Sequence, residues 1–397
     1  MQPIKFGVVG IGGYGQRHVR KLEELEAAGE ARLDAAVVID PENHPEKLAE
    51  FRERGVRIYD NLDGLLQAGG VDFITLPVGI HHHVPLSISC LEAGFNVVCE
   101  KPLAATIQDA DRLIETKNRT QKLMLIGYQA IYSPEIQSLK TQIMEGRLGQ
   151  IQSIVIKGGW PRGDEYYQRN GWAGRLQLED GSWVLDSPFN NALSHDVANA
   201  LYLSGSEHHV AALPVTVQAE LYRAREIETF DTGCMRALTA EGVEIVIALS
   251  HVPRNRMEPT MLVTGSQGTG TWSRKEAYVT LESQAQESLE GDPYTPFENA
   301  IDVIRGLAEP LCTPEIARAQ TLCINGLHCS SPEIANFPPD SIEEHYDSQK
   351  DRYLVIKDLD DLLERSFEER KLFSELSARW AIENKPFDLT GFTEFPG

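Results

Sequence analysis

Short apolar runs rich in β-branched residues alternate with amphipathic stretches over about the first 130 residues of the chain. The predicted strands are IKFGVVG (4–10), LDAAVVID (33–40), VDFITLP (71–77), NVVCE (96–100) and KLMLIGY (122–128). Between them, stretches such as YGQRHVRKLEELEAAG place apolar side chains three or four residues apart, which is typical of a half-buried helix. This alternation favours parallel strands joined by right-handed crossovers, and so predicts a doubly wound α/β sheet.

The turn between the first predicted strand and its helix reads GIGGYG. Gly10, Gly12 and Gly15 match the pattern GxGxxG, and Gly13 lies within it. Glycines at such a turn let backbone N–H groups approach a diphosphate at the helix N-terminus, where the helix dipole favours negative charge. The pattern alone is weak in a chain with 32 glycines, but its place between a strand and a helix predicts a dinucleotide site.

Asp40 ends the second predicted strand. A carboxylate at that place binds a ribose 2′-hydroxyl and repels a 2′-phosphate, so the sequence predicts NAD as the cofactor in preference to NADP. The alternative is a glycine-rich turn that binds no nucleotide, with Asp40 only capping a helix that begins at Pro41.

Composition excludes several kinds of partner. The net charge of −22 argues against nucleic acid, and it means that an anionic ligand must be held by local cationic groups. No apolar run reaches the ~18 residues that a membrane helix needs. The first ten residues lack the layout of a signal peptide, and the six cysteines are scattered without a CxxC pair. We therefore expect a cytoplasmic protein with buried free thiols.

Two segments follow neighbouring predicted strands at their carboxyl ends, which is where open parallel sheets bind ligands. PVGIHHH (77–83) begins with Pro77, and EKP places Glu100, Lys101 and Pro102 after NVVC. We expect both segments to lie near the nicotinamide. A lysine in a closed cleft can donate to an alkoxide, whereas the alternative is a surface lysine at a strand end.

GIGGYG together with LPVGIHHHVPLSISCLEAGFNVVCEKPLAAT resembles the Gfo/Idh/MocA family of oxidoreductases. The EKP signature of the family matches residues 100–102, and its upstream histidine falls on His83. The resemblance continues through residues 127–151 and, more loosely, through 297–320. It implies that Glu100, Pro102 and His83 belong to the cofactor site and that Lys101 reaches the oxygen of the reacting carbon.

Three adjacent histidines suggest zinc, but consecutive side chains diverge and no cysteine or carboxylate follows at ligand spacing. We expect no metal. His83 is expected to contact the cofactor or the substrate, and His81 and His82 are expected to be ordinary polar loop residues.

The predicted domains are a dinucleotide-binding domain over residues 1–127 and a substrate-binding domain over residues 128–397. The resemblance implies an α+β fold for the second, with a large, mostly antiparallel sheet and helices on one face. The other face of that sheet often contacts a second subunit in this family, which implies a homodimer or homotetramer. Residues 339–351 are expected to be a polar connector, and residues 358–382 a charged amphipathic helix.

The stretch LDSPFNNALSHDVANALYLSG (185–205) places Asn191, His195 and Asn199 four residues apart, so they are predicted to share one helix face. The family usually has Asp, His and Asp at these three places. An amide cannot raise the pKa of a histidine as a carboxylate does, although it can still orient a hydroxyl. We therefore expect both asparagines to bind substrate. The matching helix position of Asn191 favours a site that lacks the carboxylate, and the alternative is that Asp186 supplies the charge if its turn folds back. The alternative for His195 is an ordinary helix histidine.

A loop over residues 158–183 combines aromatic side chains with arginines. Aromatic faces pack on the C–H surfaces of sugars, and arginine binds hydroxyls or a carboxylate. The predicted substrate-binding residues of this loop are Trp160, Arg162, Arg169 and Trp172. An interface loop between subunits would use the same residue types, and this alternative stays open.

The resemblance implies an NAD-dependent dehydrogenase or reductase that acts on a sugar, a polyol or a related cyclic alcohol. His195 would take the hydroxyl proton while Lys101 polarises the same oxygen. One alternative is an NAD-assisted elimination that cleaves a glycosidic bond. Another is a non-catalytic NAD(P)-binding sensor, which the retention of Lys101 and His195 argues against and the two asparagines favour.

Overall fold

The computed structural model describes residues 2–274, 276–281 and 286–397. The chain folds into two compact units, each built from separate stretches. The first unit comprises Met1–Ala104, Gln108–Tyr132 and Tyr294–Arg318. The second comprises Ala105–Ile107, Ser133–Pro293 and Ala319–Gly397.

The first unit contains one parallel sheet. Its strands in the described residues are β1 (Ile4–Val9), β2 (Ala31–Val37), β3 (Arg57–Tyr59), β4 (Phe73–Leu76), β5 (Asn96–Cys99) and β6 (Met124–Ile126). They lie side by side in the order β3-β2-β1-β4-β5-β6, and every neighbouring pair is parallel. This order is that of a doubly wound dinucleotide-binding sheet, so the predicted fold of the first part of the chain is confirmed.

Helices follow the strands of this sheet: α1 (Gly15–Ala27), α2 (Pro45–Glu53), α3 (Leu62–Ala68), α4 (Ile80–Glu92), α5 (Ile107–Thr120) and α6 (Gln129–Tyr132). The alternation predicted every one of these strands except the short β3, and it did not predict the helices α3 and α6. The prediction that His81 and His82 lie in a loop was wrong, because α4 already begins at Ile80. Three consecutive histidines show no helical spacing of apolar residues, so the sequence contained no sign of the first turn of this helix.

The remaining strands are β7 (Ile151–Gly159), β8 (Pro214–Arg223), β9 (Thr232–Thr239), β10 (Glu244–Ser250), β11 (Met257–Gly265), β12 (Gly268–Ser273), β13 (Ala277–Leu281), β14 (Glu287–Ser288), β15 (Ala335–Asn336), β16 (Ile342–Tyr346), β17 (Arg352–Ile356) and β18 (Phe387–Asp388). All but β16 and β17 form one large sheet, in the order β14-β13-β12-β11-β7-β10-β9-β8-β15 with β18 beside β8. The β7–β10 and β8–β15 pairs are parallel, and the other pairs are antiparallel. The implied mostly antiparallel sheet is thus confirmed.

The later helices are α7 (Pro134–Met144), α8 (Asp164–Gln168), α9 (Ser194–Ser204), α10 (Pro296–Ile304), α11 (Pro314–Ser330) and α12 (Leu359–Glu369). The last of these is shorter than the predicted helix over 358–382. It ends because Arg370 adopts a left-handed conformation with φ of 55°. Leu372 and Phe373 are buried just beyond, so the apolar pattern continues although the helix does not.

The prediction that Asn191 shares a helix with His195 was also wrong. Asn191 lies in a separate helical turn, Pro188–Ala192, and α9 begins only at Ser194. Leu193, between them, leaves the helical conformation with φ of −118°. Spacing by four implied a shared face only if the helix were continuous.

The polar segment over 339–351 is not simply a connector. Strand β16 pairs with β17 in an antiparallel hairpin, beginning with Ile342 opposite Ile356. Most of β16 is exposed, so no alternation of buried and exposed residues marks it in the sequence.

The cysteines of the chain are free and all are buried except Cys329, which is half-buried; this confirms the expected free thiols. Within the described residues, no helix has both the length and the apolar content needed to cross a bilayer.

Candidate active site

The glycine-rich turn joins β1 to α1 in the first unit. Gly10 and Gly13 adopt left-handed conformations, with φ of 88° and 51°. A Cβ on Gly15 would lie 2.4 Å from the carbonyl oxygen of Gly10, so no larger residue fits where α1 starts. The first turn of α1 carries no acidic residue. These features fit a diphosphate at the N-terminus of α1.

Asp40 lies three residues beyond the end of β2, with a half-exposed side chain. Its carboxylate accepts a hydrogen bond of 3.2 Å from the Asn43 amide. The Nε2 atom of His44 lies 3.6 Å from the same carboxylate, and a Cβ on Gly12 would be 3.1 Å from that nitrogen. His44 therefore brings the acidic end of β2 next to the glycine turn, a contact that the sequence did not predict.

Pro77 and His83 lie after the end of β4. Pro77 lies against the glycine turn, where a Cβ on Gly15 would be 3.5 Å from its ring. The buried imidazole of His83 faces two backbone carbonyls, that of Pro102 at 2.6 Å and that of Val78 at 3.1 Å. Burial lowers the pKa of His83 although both carbonyls oppose the shift. The neutral ring thus donates to one carbonyl and links the turns after β4 and β5.

Glu100 is the centre of a buried hydrogen-bonded network at the carboxyl end of β5. Its carboxylate accepts from His18 Nε2 at 3.0 Å, from Gln129 Nε2 at 2.9 Å and from the backbone N–H of Lys101 at 3.2 Å. The other ring nitrogen of His18 lies 2.7 Å from the hydroxyl of Thr75. The carboxylate therefore holds the backbone of Lys101, whose side chain is half-buried.

Sequence reasoning missed three members of this network: His18, Thr75 and Gln129. One signal was present, because His18 lies on the apolar face of α1 with Val19 and Leu22. A polar side chain on such a face requires a buried hydrogen-bond partner. The sequence does not show that this partner is a residue 82 positions away.

In the second unit, Asp186 folds back onto the turn that precedes α9. Its carboxylate accepts from the Asn191 amide at 2.9 Å and from the backbone N–H of Gly174 at 2.7 Å. The Asp186 carboxylate therefore lies next to Asn191, and that it supplies a charge for His195 stays a prediction. His195 follows as the second residue of α9 and is half-buried.

Asp196 and Asn199, also in α9, are buried polar residues. Burial raises the pKa of Asp196 to about 7, and the charge of Arg274 opposes the shift. Asn199 has no exposed surface, and its amide finds no hydrogen-bond partner in the part of the chain that the structure describes. Its predicted contact with substrate stays a prediction.

Trp160 follows β7 and is surrounded by arginines. The guanidinium carbons of Arg162, Arg256 and Arg274 lie 5.4, 4.7 and 4.6 Å from the centre of its ring system. Its indole N–H donates to Glu258 at 3.2 Å. Arg256, Arg274 and Glu258 are additions to the predicted set.

Tyr166, in α8, joins the predicted loop residues to one another. Arg162 lies 4.5 Å and Arg169 3.7 Å from the centre of its ring. Arg169 also lies 5.1 Å from the ring of Trp172. The structure thus brings together all four predicted residues of this loop. We call Arg162, Arg169, Arg256 and Arg274 the arginine cluster.

Among the residues that the structure describes, no group of three His, Cys, Asp or Glu side chains is placed to hold a metal ion.

Two family models match most of the chain. Residues 4–128 match the oxidoreductase family with an NAD-binding Rossmann fold, and residues 136–271 match the GFO/IDH/MocA C-terminal domain. The chain belongs to the Gfo/Idh/MocA family. Its first domain is therefore an NAD-binding Rossmann domain of that family, as the glycine turn and the strand order had indicated.

Curated relatives in the family match at low identity. The chain is 28% identical to the rhizopine catabolism protein MocA of Rhizobium meliloti over 39% of this chain and 46% of that protein. It is 26% identical to inositol 2-dehydrogenase 2 of Saccharopolyspora erythraea over 48% of this chain and 57% of the relative. The chain thus spans about half the length of these relatives.

Solved structures of the family share the fold over most of this chain. The WlbA dehydrogenase from Bordetella pertussis, solved in complex with NADH and UDP-GlcNAcA, superposes with a TM-score of 0.70 at 23% identity, covering 83% of this chain and 97% of that one. The aldose-aldose oxidoreductase from Caulobacter crescentus superposes with a TM-score of 0.68 at 19% identity, covering 83% and 98%.

Proposed function

We propose that the protein is an NAD-dependent dehydrogenase or reductase that acts on a CH–OH group of a sugar, a polyol or a related cyclic alcohol. The observation that supports this most is the buried Glu100 carboxylate, which binds the backbone N–H of Lys101. It holds the lysine at the carboxyl end of β5, in the sheet whose first strand leads into the glycine turn. The inositol dehydrogenases among the relatives support the same class of substrate.

The cofactor would be held by the glycine turn, by Asp40 and by the segments that contain Pro77 and Pro102. Bound NAD supplies the group that accepts or donates a hydride. Asp40 supports NAD over NADP because its half-exposed carboxylate can accept from a ribose 2′-hydroxyl and would repel a 2′-phosphate. In this proposal His83 acts through the backbone, by fixing the carbonyl of Pro102.

Lys101 and His195 are the proposed proton-transfer groups. The Lys101 ammonium would donate to the oxygen of the reacting carbon when a carbonyl is reduced, and the neutral amine would accept that proton in the reverse direction. His195 is the second residue of α9, and the turn that precedes this helix is fixed by the hydrogen bond between Asp186 and Asn191. That both groups act on one hydroxyl stays a prediction.

Assembly through the second sheet, as a homodimer or homotetramer, is likewise a proposal supported by the family resemblance. A cytoplasmic location is also a proposal, and the free cysteines support it because thiols persist in a reducing compartment.

The test begins with cofactor binding, measured by titration of NADH and NADPH through their fluorescence. NADH should bind more tightly. NADH production is then measured across a panel of sugars, sugar acids, polyols and inositols. With an active substrate, Lys101→Ala should lower kcat by roughly 100-fold or more, with NADH binding largely unchanged.

A double variant shows whether the two proton-transfer groups act together. If they serve the same proton, Lys101→Ala combined with His195→Ala should lose little more activity than the worse single variant. If the fold losses of the two single variants instead multiply in the double variant, Lys101 and His195 act independently. Tight NADH binding without turnover of any compound in the panel would contradict the proposed function and favour a sensor.

A further inference from the structure

The arginine cluster has more positive charge than its carboxylates balance. Arg256 donates to Glu258 at 2.6 Å, and Arg274 lies 4.0 Å from the same carboxylate. In the described residues, no carboxylate oxygen lies within 4 Å of the guanidinium of Arg162 or Arg169. Attraction to the aromatic rings holds these cations in place, but it does not remove the repulsion between them.

Arg162 is the most constrained member of the cluster. Its Nε atom is buried and has no hydrogen-bond acceptor among the described residues. Its backbone N–H donates to the carbonyl of His251 at 2.9 Å, which fixes the position of the side chain's base. Burial lowers the pKa of Arg162, and the charges of Arg169 and Arg256 lower it further. A bound anion would relieve all of these effects.

Nearby arginines show that carboxylates are not lacking in this part of the chain. Arg225 and Arg352 both bind Asp164, and Arg352 does so at 2.8 Å. Arg175, in the same loop as the cluster, lies 3.3 Å from Glu228. The chain has 59 acidic residues against 37 basic ones. Arg162 and Arg169 have no carboxylate partner among the described residues, and in such an acidic protein this points to an anion that comes from outside the chain.

The arginine cluster and the segment around His195 both belong to the second unit. The negative charge of Asp186 raises the pKa of Tyr166, next after the effect of burial. Asp196 follows His195 in the sequence, and the positive charge of Arg274 opposes the rise in the pKa of Asp196 that burial causes. A ligand held by the arginines would therefore lie in the same unit as the proposed proton acceptor.

We propose that Arg162 and Arg169 bind a carboxylate of the substrate, so that the substrate is an acid of a sugar or polyol. A guanidinium donates two parallel hydrogen bonds to a carboxylate, and the rings of Trp160 and Tyr166 can cover C–H faces beside it. That the protein oxidises or reduces such an acid rests on the proposed function. That it binds the acid does not.

The test compares matched ligands on the whole protein saturated with NADH or NAD. The probes are glucose, gluconate, glucuronate and glucose 6-phosphate. Binding is followed by quenching of tryptophan fluorescence, which needs no turnover, and activity is followed by NADH absorbance. One or both of the two carboxylates should bind at least about tenfold more tightly than glucose.

Three variants assign the effect. Arg162→Gln and Arg169→Gln should each weaken carboxylate binding by roughly 10- to 100-fold and weaken glucose binding by much less. Arg175→Gln is the matched control, because it removes one positive charge from the same loop but from an arginine that already has a carboxylate. It should change neither affinity.

Equal binding of glucose and both acids, or equal losses for neutral and acidic ligands in the Arg162 and Arg169 variants, would overturn the inference. If glucose 6-phosphate binds more tightly than both carboxylates, the arginines bind a phosphate group, and the proposal of a carboxylate is wrong. Carboxylate binding that depends on Arg162, without turnover, would support the inference and contradict the proposed function.

Discussion

Asp196 is a buried carboxyl group one residue beyond His195. Burial raises its pKa from 3.8 to about 7, with Arg274 opposing the shift and Glu258 adding to it. Between these two pH values the folded protein binds more protons than the unfolded chain. The contribution of Asp196 to stability is therefore complete below pH 3.8 and is lost as the pH rises towards 7.

Replacing this residue should remove that dependence on pH. We expect Asp196→Asn to raise the melting temperature by roughly 5 °C at pH 8 and by less at pH 5, because the amide carries no charge to bury. Differential scanning calorimetry at both values measures the change. The control is Asp60→Asn, at an exposed carboxylate, which should leave the melting temperature unchanged at both pH values. A stabilisation of equal size at pH 5 and pH 8 would show that Asp196 does not titrate in this range.

At the scale of the element, the turn from β1 to α1 depends on Gly15. A Cβ at this position would lie 2.4 Å from the backbone oxygen of Gly10, and backbone cannot move aside as a flexible side chain can. We expect Gly15→Ala to lower NADH affinity at least about tenfold and to lower the melting temperature, since the start of α1 must shift away from β1. NADH titration and thermal unfolding measure these effects.

The control for that change is Gly171→Ala. A Cβ on Gly171 would meet no atom within 4 Å, so the same chemical change should leave NADH binding as it is. Equal effects of the two substitutions, or a Gly15→Ala protein that binds NADH normally, would contradict the steric argument.

Elements with a strong apolar pattern could be predicted from the sequence, and those without one could not. Strands β1, β2, β4, β5 and β6 are apolar runs between helices, whereas β3 has three half-buried residues, two of them polar. The break at Leu193 comes from one backbone conformation in a stretch that otherwise has helical spacing. The exposed hairpin of β16 and β17 depends on backbone pairing, which side-chain periodicity does not report.

The same limit applies to the candidate site. Lys101 could be predicted because it lies in a contiguous motif after a strand. The bonds of Glu100 to His18 and Gln129 join residues far apart in the chain, so spacing does not reveal them. Arg256 and Arg274 reach Trp160 only because β11 and β12 pair beside β7 in the second sheet.

At the scale of the whole molecule, the chain returns to the first unit late in the sequence. The stretch Tyr294–Arg318 belongs to the same compact unit as the parallel sheet. Phe297 is buried in the core of that unit, with its ring 5.7 Å from the ring of Phe6 and 5.1 Å from that of His18. The backbone N–H of Ile126, in β6, donates to the carbonyl of Cys312. The predicted domain boundary between residues 127 and 128 stays a prediction. It did not include the late stretch Tyr294–Arg318 in the first domain.

Because Tyr294–Arg318 packs in the first unit, we predict that Phe297 supports this unit although it is far from the glycine turn in sequence. Phe297→Ala should lower the free energy of unfolding by about 3–5 kcal/mol, because a buried aromatic ring is lost and a cavity remains. Since Phe297 packs on His18, which binds Glu100, we also expect weaker NADH binding. The control is Ile304→Ala, at the end of the same helix, where the side chain is 45% exposed and little should change. Both variants are compared by chemical denaturation and NADH titration. If Phe297→Ala lowers stability but leaves NADH affinity unchanged, the late segment contributes to the core of the unit without supporting its cofactor site.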